Sequence, residues 1–261
     1  MKAITMSHLG KWLFATALAG LLPAVSYAEE MRHETEYRVA LAGLPIAHAD
    51  FKTEVIDKHF TIKGKVNSSG LADLVTTISA EADVAGVVGP QKLEASRYTL
   101  YYKSGKKNHT YDVVYNNGNV TSTTTTPTPR RPQNWIPVAD GDLKSVLDPI
   151  SGLIFSANTN VCAQTLPIYD GETRMTLKLS PKGSKPFSTE GFKGDAIVCS
   201  VRFKALGGYK KSRTDFDYLA KSNDMEIWFA KADAMKVYAP VYVRIPTKYG
   251  TVTITAVKYG A

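Results

Sequence analysis

The chain is poor in the residues and spacings that the commonest protein chemistries require. Its 261 residues include two cysteines and five histidines, with no CxxC pair, and the scattered histidines do not reach the spacing of a zinc site. No serine stands in a Gly-x-Ser-x-Gly elbow, no glycine-rich phosphate cradle precedes a helix, and Asp215, Asp217 and Asp224 lack the spacing of a calcium loop. No nucleic-acid-binding motif is present. Beyond the first 28 residues no apolar run approaches the roughly 20 residues of a spanning helix. These absences predict a protein that is not an enzyme, carries no cofactor or metal, binds no nucleic acid and does not span a membrane once its leader is gone.

The leader is what the sequence does offer first. Lys2 and Lys11 precede an apolar run from Trp12 to Leu22, and Ser26-Tyr27-Ala28 places small residues three and one positions before a cut. That pattern is a secretory signal peptide over residues 1–28, which predicts a periplasmic protein, exported across an inner membrane. Without the two leader lysines, thirty basic and twenty-four acidic side chains remain, a net charge of about +6. The excess is scattered, with tighter clusters at Lys103–Lys107 and Lys210–Arg213. In an exported chain, exactly two cysteines predict one disulfide, Cys162 to Cys199.

Residues 29–261 read as a single β-rich domain. Short alternating segments dominate: a strand through Tyr37, Val39 and Leu41, a second through Ala47, Ala49 and Phe51, and a third from Phe60 to Val66. Ser96–Lys103 and His109–Tyr115 form a hairpin, and Asn117-Gly118 turns the chain into a threonine-rich strand at Val120–Thr126. A Pro-rich crossover follows at residues 127–137. Further strands are expected at Cys162–Ile168, Thr173–Leu179, Ala196–Leu206, Met225–Ala230, Val237–Arg244 and Thr251–Lys258, with Pro240 marking a bulge or an edge. Helical spacing predicts one helix over Leu71–Val84 and another through Leu143, Val146, Leu147 and Ile150, kinked or restarted at Asp148-Pro149, with a turn or more at Asp215–Lys221. The fold class expected is mainly β: a single curved antiparallel sheet or open barrel with two or three helices packed against it.

Several of these segments follow one another in a familiar order. Tyr37–Ala47, Asp148-Pro149-Ile150-Ser151-Gly152, Cys162, Leu166–Gly171, Cys199, Glu226–Ala230 and Val243–Pro246 together resemble domain-of-unknown-function family 3108 of exported proteobacterial envelope proteins. The resemblance spans nearly the whole chain after the leader. It implies no activity, because the family has none established. At the level of fold, such proteins are similar to the Lol-type lipoprotein carriers, which hold acyl chains inside an unclosed barrel.

The remaining polar pairs have ordinary explanations. His48 with Asp50 and Asp57 with His59 read as strand-end polar residues, and Asp170-Gly171-Glu172 reads as a turn. Tyrosines on the strands read chiefly as cross-strand packing. Leu74, Ile78, Leu147, Phe155, Trp228 and Val241 are the expected wall of an apolar pocket between sheet and helices. The function expected is maintenance of the cell envelope, with a lipid or lipoprotein acyl chain bound in the concave face of the sheet. The alternative is a scaffold that recruits an envelope protein partner through a sheet edge.

Overall fold

The computed structural model describes residues 30–70, 73 and 77–260. Hairpin follows hairpin along the chain. β1 (Glu30–Leu41), β2 (Leu44–Ile56), β3 (His59–Ser68), β4 (Ile78–Val88), β5 (Leu93–Ser104), β6 (Lys107–Asn116) and β7 (Asn119–Thr126) each pair antiparallel with the next. Three of their turns, at Ala42-Gly43, Asp57-Lys58 and Asn117-Gly118, have positive φ at both residues, the geometry whose twist matches a two-residue hairpin. After a crossover come β8 (Trp135–Ile136), β9 (Phe155–Ser156), β10 (Thr165–Tyr169), β11 (Arg174–Thr189), β12 (Phe192–Gly207), β13 (Tyr209–Lys210), β14 (Met225–Ala232), β15 (Val237–Thr247) and β16 (Gly250–Gly260).

The last strand returns to the first. β16 lies between β15 and β1, so the large sheet runs β10-β11-β12-β14-β15-β16-β1-β2-β3-β4-β5-β6-β7, with β9 added beside β15. β8 and β13 form a separate two-stranded ribbon that ties the Pro-rich crossover to the end of β12. The sheet is not a closed barrel, since β7 and β10 are its two edges. A strap made by Ser145–Leu147 spans the seam between them. Val146 N–H donates to the Gly118 carbonyl at 2.7 Å, Leu147 N–H donates to Pro167, and Tyr169 N–H donates back to Leu147. Beside the strap, the Tyr115 hydroxyl donates to the Tyr169 carbonyl at 3.1 Å.

Two apolar clusters share the sheet. The larger gathers Phe60, Ile62, Val84, Tyr98, Val113, Val237, Val241 and Tyr259; the smaller gathers Leu166, Ile168, Val201, Ile227 and Phe229 around Cys162 and Cys199. β12 belongs to both, giving Ala196 to one and Cys199 to the other. The two cysteines are joined, with Cα atoms 5.3 Å apart, which pins the short turn at Val161–Ala163 to β12.

The helix expected at Asp215–Lys221 is present, and the two longer ones expected are not. Among the described residues there is one α-helix, α1 (Thr214–Lys221), and otherwise only short 3-10 turns. The helix expected over Leu71–Val84 is corrected from Ile78 onward: those residues belong to β4, paired with β3 and β5, and most of the rest of that segment lies outside the described residues. Its alternating Ala82, Val84 and Gly86 suit a pleated strand, and neighbours on both sides decided the outcome. The helix expected through Leu143–Ile150 is also corrected. It is replaced by a 3-10 turn at Asp140–Leu143, the extended strap, and a second 3-10 turn at Ser151–Leu153. Pro149 forbids a continuous helix there, and the strap's backbone groups are taken by the sheet edges instead.

Candidate functional site

β1 alternates two kinds of residue. Glu34, Glu36 and Arg38 alternate with His33, Thr35, Tyr37 and Val39, and a strand places such sets on opposite faces. Glu34 pairs with Lys52 on the neighbouring strand at 2.9 Å. The other set lines a cavity of about 290 Å³, close to the lower end of small-molecule sites at about 300 Å³. Ala49, Phe51 and Thr53 of β2, Ile62 and Val66 of β3, Val237, Ala239 and Val243 of β15 and Ile254 of β16 continue the wall.

The opposite wall is not sheet. Pro149, Ile150, Leu153 and Ile154, from the segment after the strap, pack across the sheet together with Met235. Asp148 shapes this segment. Its carboxylate accepts the backbone N–H groups of Ile150 at 2.9 Å and Ser151 at 2.8 Å and also the Ser151 hydroxyl. The Asp-Pro-Ile-Ser sequence therefore builds a capped 3-10 turn, Asp148 acting as the cap and Pro149 filling a position that needs no donor. Asp148 is wholly buried, and burial pushes its carboxyl above the ordinary range despite those hydrogen bonds.

The cavity wall is nearly all hydrocarbon. Among the described residues, its polar members are His33, Thr35, Thr53 and the Tyr37 hydroxyl, and none of the residues lining it is Asp, Glu, Lys or Arg. Tyr37 donates to the Pro240 carbonyl at 2.6 Å. His33 is 7% exposed, meets the Tyr259 ring edge-on at a 4.4 Å centroid distance, and its Nε2 finds no hydrogen-bond partner among the described residues. Burial lowers its pKa from 6.5 to about 4, so the imidazole is neutral at pH 7.

A second hollow, about 250 Å³, opens between the strap and the ends of β5 and β6, lined by Lys92, Glu94, Tyr115, Asn117 and the strap itself. It is mixed in polarity and lies at the seam.

The residues expected to line a pocket are dispersed. Leu74 lies outside the described residues. Leu147 is buried in the strap and borders the hollow at the seam. Phe155 meets Phe229 edge-on at 5.5 Å in the smaller cluster, Val241 is fully buried in the larger one, and Ile78 opens β4. Trp228 is half-buried on β14, stacked at a tilt on Tyr242 with the Lys185 ammonium 4.8 Å above its ring. The apolar cavity has other walls, chiefly β1, β2 and the 149–154 segment. The His/Asp pairs do not converge: His48 and Asp50 are on β2, whereas Asp57 lies in the turn after it and His59 opens β3. Asp170 accepts the N–H groups of Glu172 and Thr173, which makes it the turn residue of the β10–β11 hairpin. Among the described residues no group of three or more His, Cys, Asp or Glu could hold a metal ion, and no helix is long and apolar enough to cross a membrane.

Comparison with known proteins returns a family of unknown function. The family model described as a protein of unknown function, DUF3108, matches residues 36–257. A β-barrel-like protein of domain-of-unknown-function family DUF1849 from Brucella abortus is similar in structure, with a TM-score of 0.50 at 8% identity, over 89% of this chain and 98% of that one. A DUF1329 family protein from Desulfovibrio piger aligns over 90% of this chain and 86% of its own at 7% identity, with a TM-score of 0.21. No curated protein matches. The Brucella likeness speaks to the barrel-like fold alone.

Proposed function

The chain belongs to the DUF3108 family of proteins of unknown function, and from its own geometry we propose that it is a non-enzymatic periplasmic protein of cell-envelope maintenance that holds a lipid or acyl chain in the concave face of its sheet. The observation that carries this reading is the half-open apolar cavity between β1–β3, β15–β16 and the 149–154 segment. Such a wall gains about 0.8 kcal/mol for each methylene it removes from water, and its described residues include no charged side chain to pair with a charged substrate. The leader and the disulfide support an oxidising, extracytoplasmic compartment. Photoactivatable fatty acids fed to intact cells test the reading. Adducts on peptides containing Pro149–Ile154 or β1–β3 are expected; labelling confined to the outer surface would contradict it.

A second reading has an observation of its own. Among the described residues β7 ends the sheet, pairs only with β6, and exposes Thr121–Thr124 along its length, so a strand of an envelope partner could add there. Protein adducts at β7 or residues 127–137, in place of lipid adducts, would favour this scaffold.

A further inference from the structure

The apolar cavity is least covered toward one end of the sheet. Along its wall His33, Thr35, Thr53 and Ile62 are buried, whereas Val39, Ile254 and Val243, which stand opposite one another on β1, β16 and β15, are half-buried. Val39 comes just before the Ala42-Gly43 turn, and Ile254 shortly after the turn at Lys248-Tyr249. In a run of antiparallel hairpins every second connection falls at the same end. The β1–β2, β3–β4, β5–β6 and β15–β16 connections therefore share the end at which the cavity opens.

That end also carries the two most exposed large apolar side chains among the described residues, Tyr249 at 86% and Leu44 at 56%. Their turns are tied together, the Ala42 N–H donating to the Thr251 carbonyl at 2.9 Å. Lys103, Lys106, Lys107 and Lys248 are exposed in or beside the same four connections. The acid among them is Asp73, which accepts the Ser68 hydroxyl. The opposite end mixes its signs, with Asp57 beside Lys58 in one turn and Asp233 paired with Lys231 at 2.8 Å in another.

Resting on the reading of the cavity as an acyl-chain site, we propose that this end of the sheet docks on an anionic phospholipid bilayer. Leu44 and Tyr249 enter its interface, the four lysines meet its phosphates, and the mouth of the cavity faces the lipid that fills it. Two independent features favour this partner. Exposed apolar tips stand beside the mouth of an apolar cavity, and tyrosine is a residue that settles at the headgroup level. The charge around them is chiefly of one sign, and lysines near an anionic leaflet are drawn to it.

Co-sedimentation of the purified chain with vesicles tests this, using phosphatidylglycerol and phosphatidylcholine in equal parts beside phosphatidylcholine alone. The chain is expected to bind the anionic vesicles at least about ten-fold more strongly, and less so as salt is added. Leu44→Ser with Tyr249→Ser should weaken that binding about ten-fold. Replacing Lys103, Lys106 and Lys107 by Gln should weaken it by about five-fold for each lysine. Ile56→Ser with Lys58→Gln, at the opposite end, should leave it unchanged; all of these positions are exposed, so the fold is kept. Absence of vesicle binding, equal binding to both compositions, or an equal loss from the opposite-end pair would overturn the docking surface. Fluorescence of cis-parinaric acid added to the chain without vesicles reads the cavity by itself. Enhancement there without vesicle binding would overturn the docking surface and keep the acyl-chain site. Vesicle binding without enhancement would overturn that site, and with it filling from the bilayer.

Discussion

His33 is a buried imidazole held neutral, and that has a consequence for stability. Its pKa in the folded chain is about 4, against 6.5 for an unperturbed histidine. Between those values the unfolded chain takes up a proton that the folded one refuses. The contribution of His33 is therefore intact above pH 6.5 and is lost as the pH falls toward 4, by about 3 kcal/mol in all. Urea unfolding at pH 7.5 and pH 4 should show this decrement in the unmodified chain over and above that of His33→Phe. An equal decrement in both would mean the imidazole is not buried neutral. The residue was readable in principle. Glu34, Glu36 and Arg38 alternate with His33, Thr35, Tyr37 and Val39, a period of two that separates charged from uncharged side chains. What hid its burial is that a histidine beside a threonine looks like ordinary strand surface until β2, β15 and the 149–154 segment close over it.

At the scale of elements, most strands and the short helix at Thr214–Lys221 were legible, and the two longer helices expected were not. The strand readings found twelve of the sixteen described strands, and Asn117-Gly118 marked its turn, because those signals are local. The expectations of helix over Leu71–Val84 and Leu143–Ile150 failed for a non-local reason. Ile78–Val84 has a half-apolar stripe compatible with either structure, and pairing with β3 and β5 settled it. The strap had helical spacing at Val146, Leu147 and Ile150, yet Leu147 pairs with Ile168 at the sheet edge. The pocket expected from those helices was accordingly placed elsewhere than the apolar cavity. The seam itself depends on the β10–β11 turn, where Gly171 has φ of +95° and a Cβ would come within 2.9 Å of the Tyr111 side chain. Gly171→Ala should destabilise the fold by about 2 kcal/mol or more, from backbone strain and crowding together. A denaturation midpoint matching the unmodified chain would show that the edges do not meet as described.

For the whole molecule, the pairing of β16 with β1 matters most. It places the first and last strands in mid-sheet, and both of them line the apolar cavity. The barrel is left open between β7 and β10, with the strap across the seam and the Asp148-capped turn carried inside as the far wall. A sheet closed on itself with a filled centre would be a structural body and no more. This one keeps a half-open apolar space between its sheet and the 149–154 segment, which is the basis for reading it as a carrier. Native mass spectrometry of the chain purified from its own envelope, beside Ala49→Phe, in which the added ring fills the cavity, tests that claim most directly. The account predicts that the unmodified chain carries the added mass of a lipid and the variant, folded to the same thermal midpoint, carries none. A bare polypeptide mass for the unmodified chain, or the same adduct on both, would contradict it.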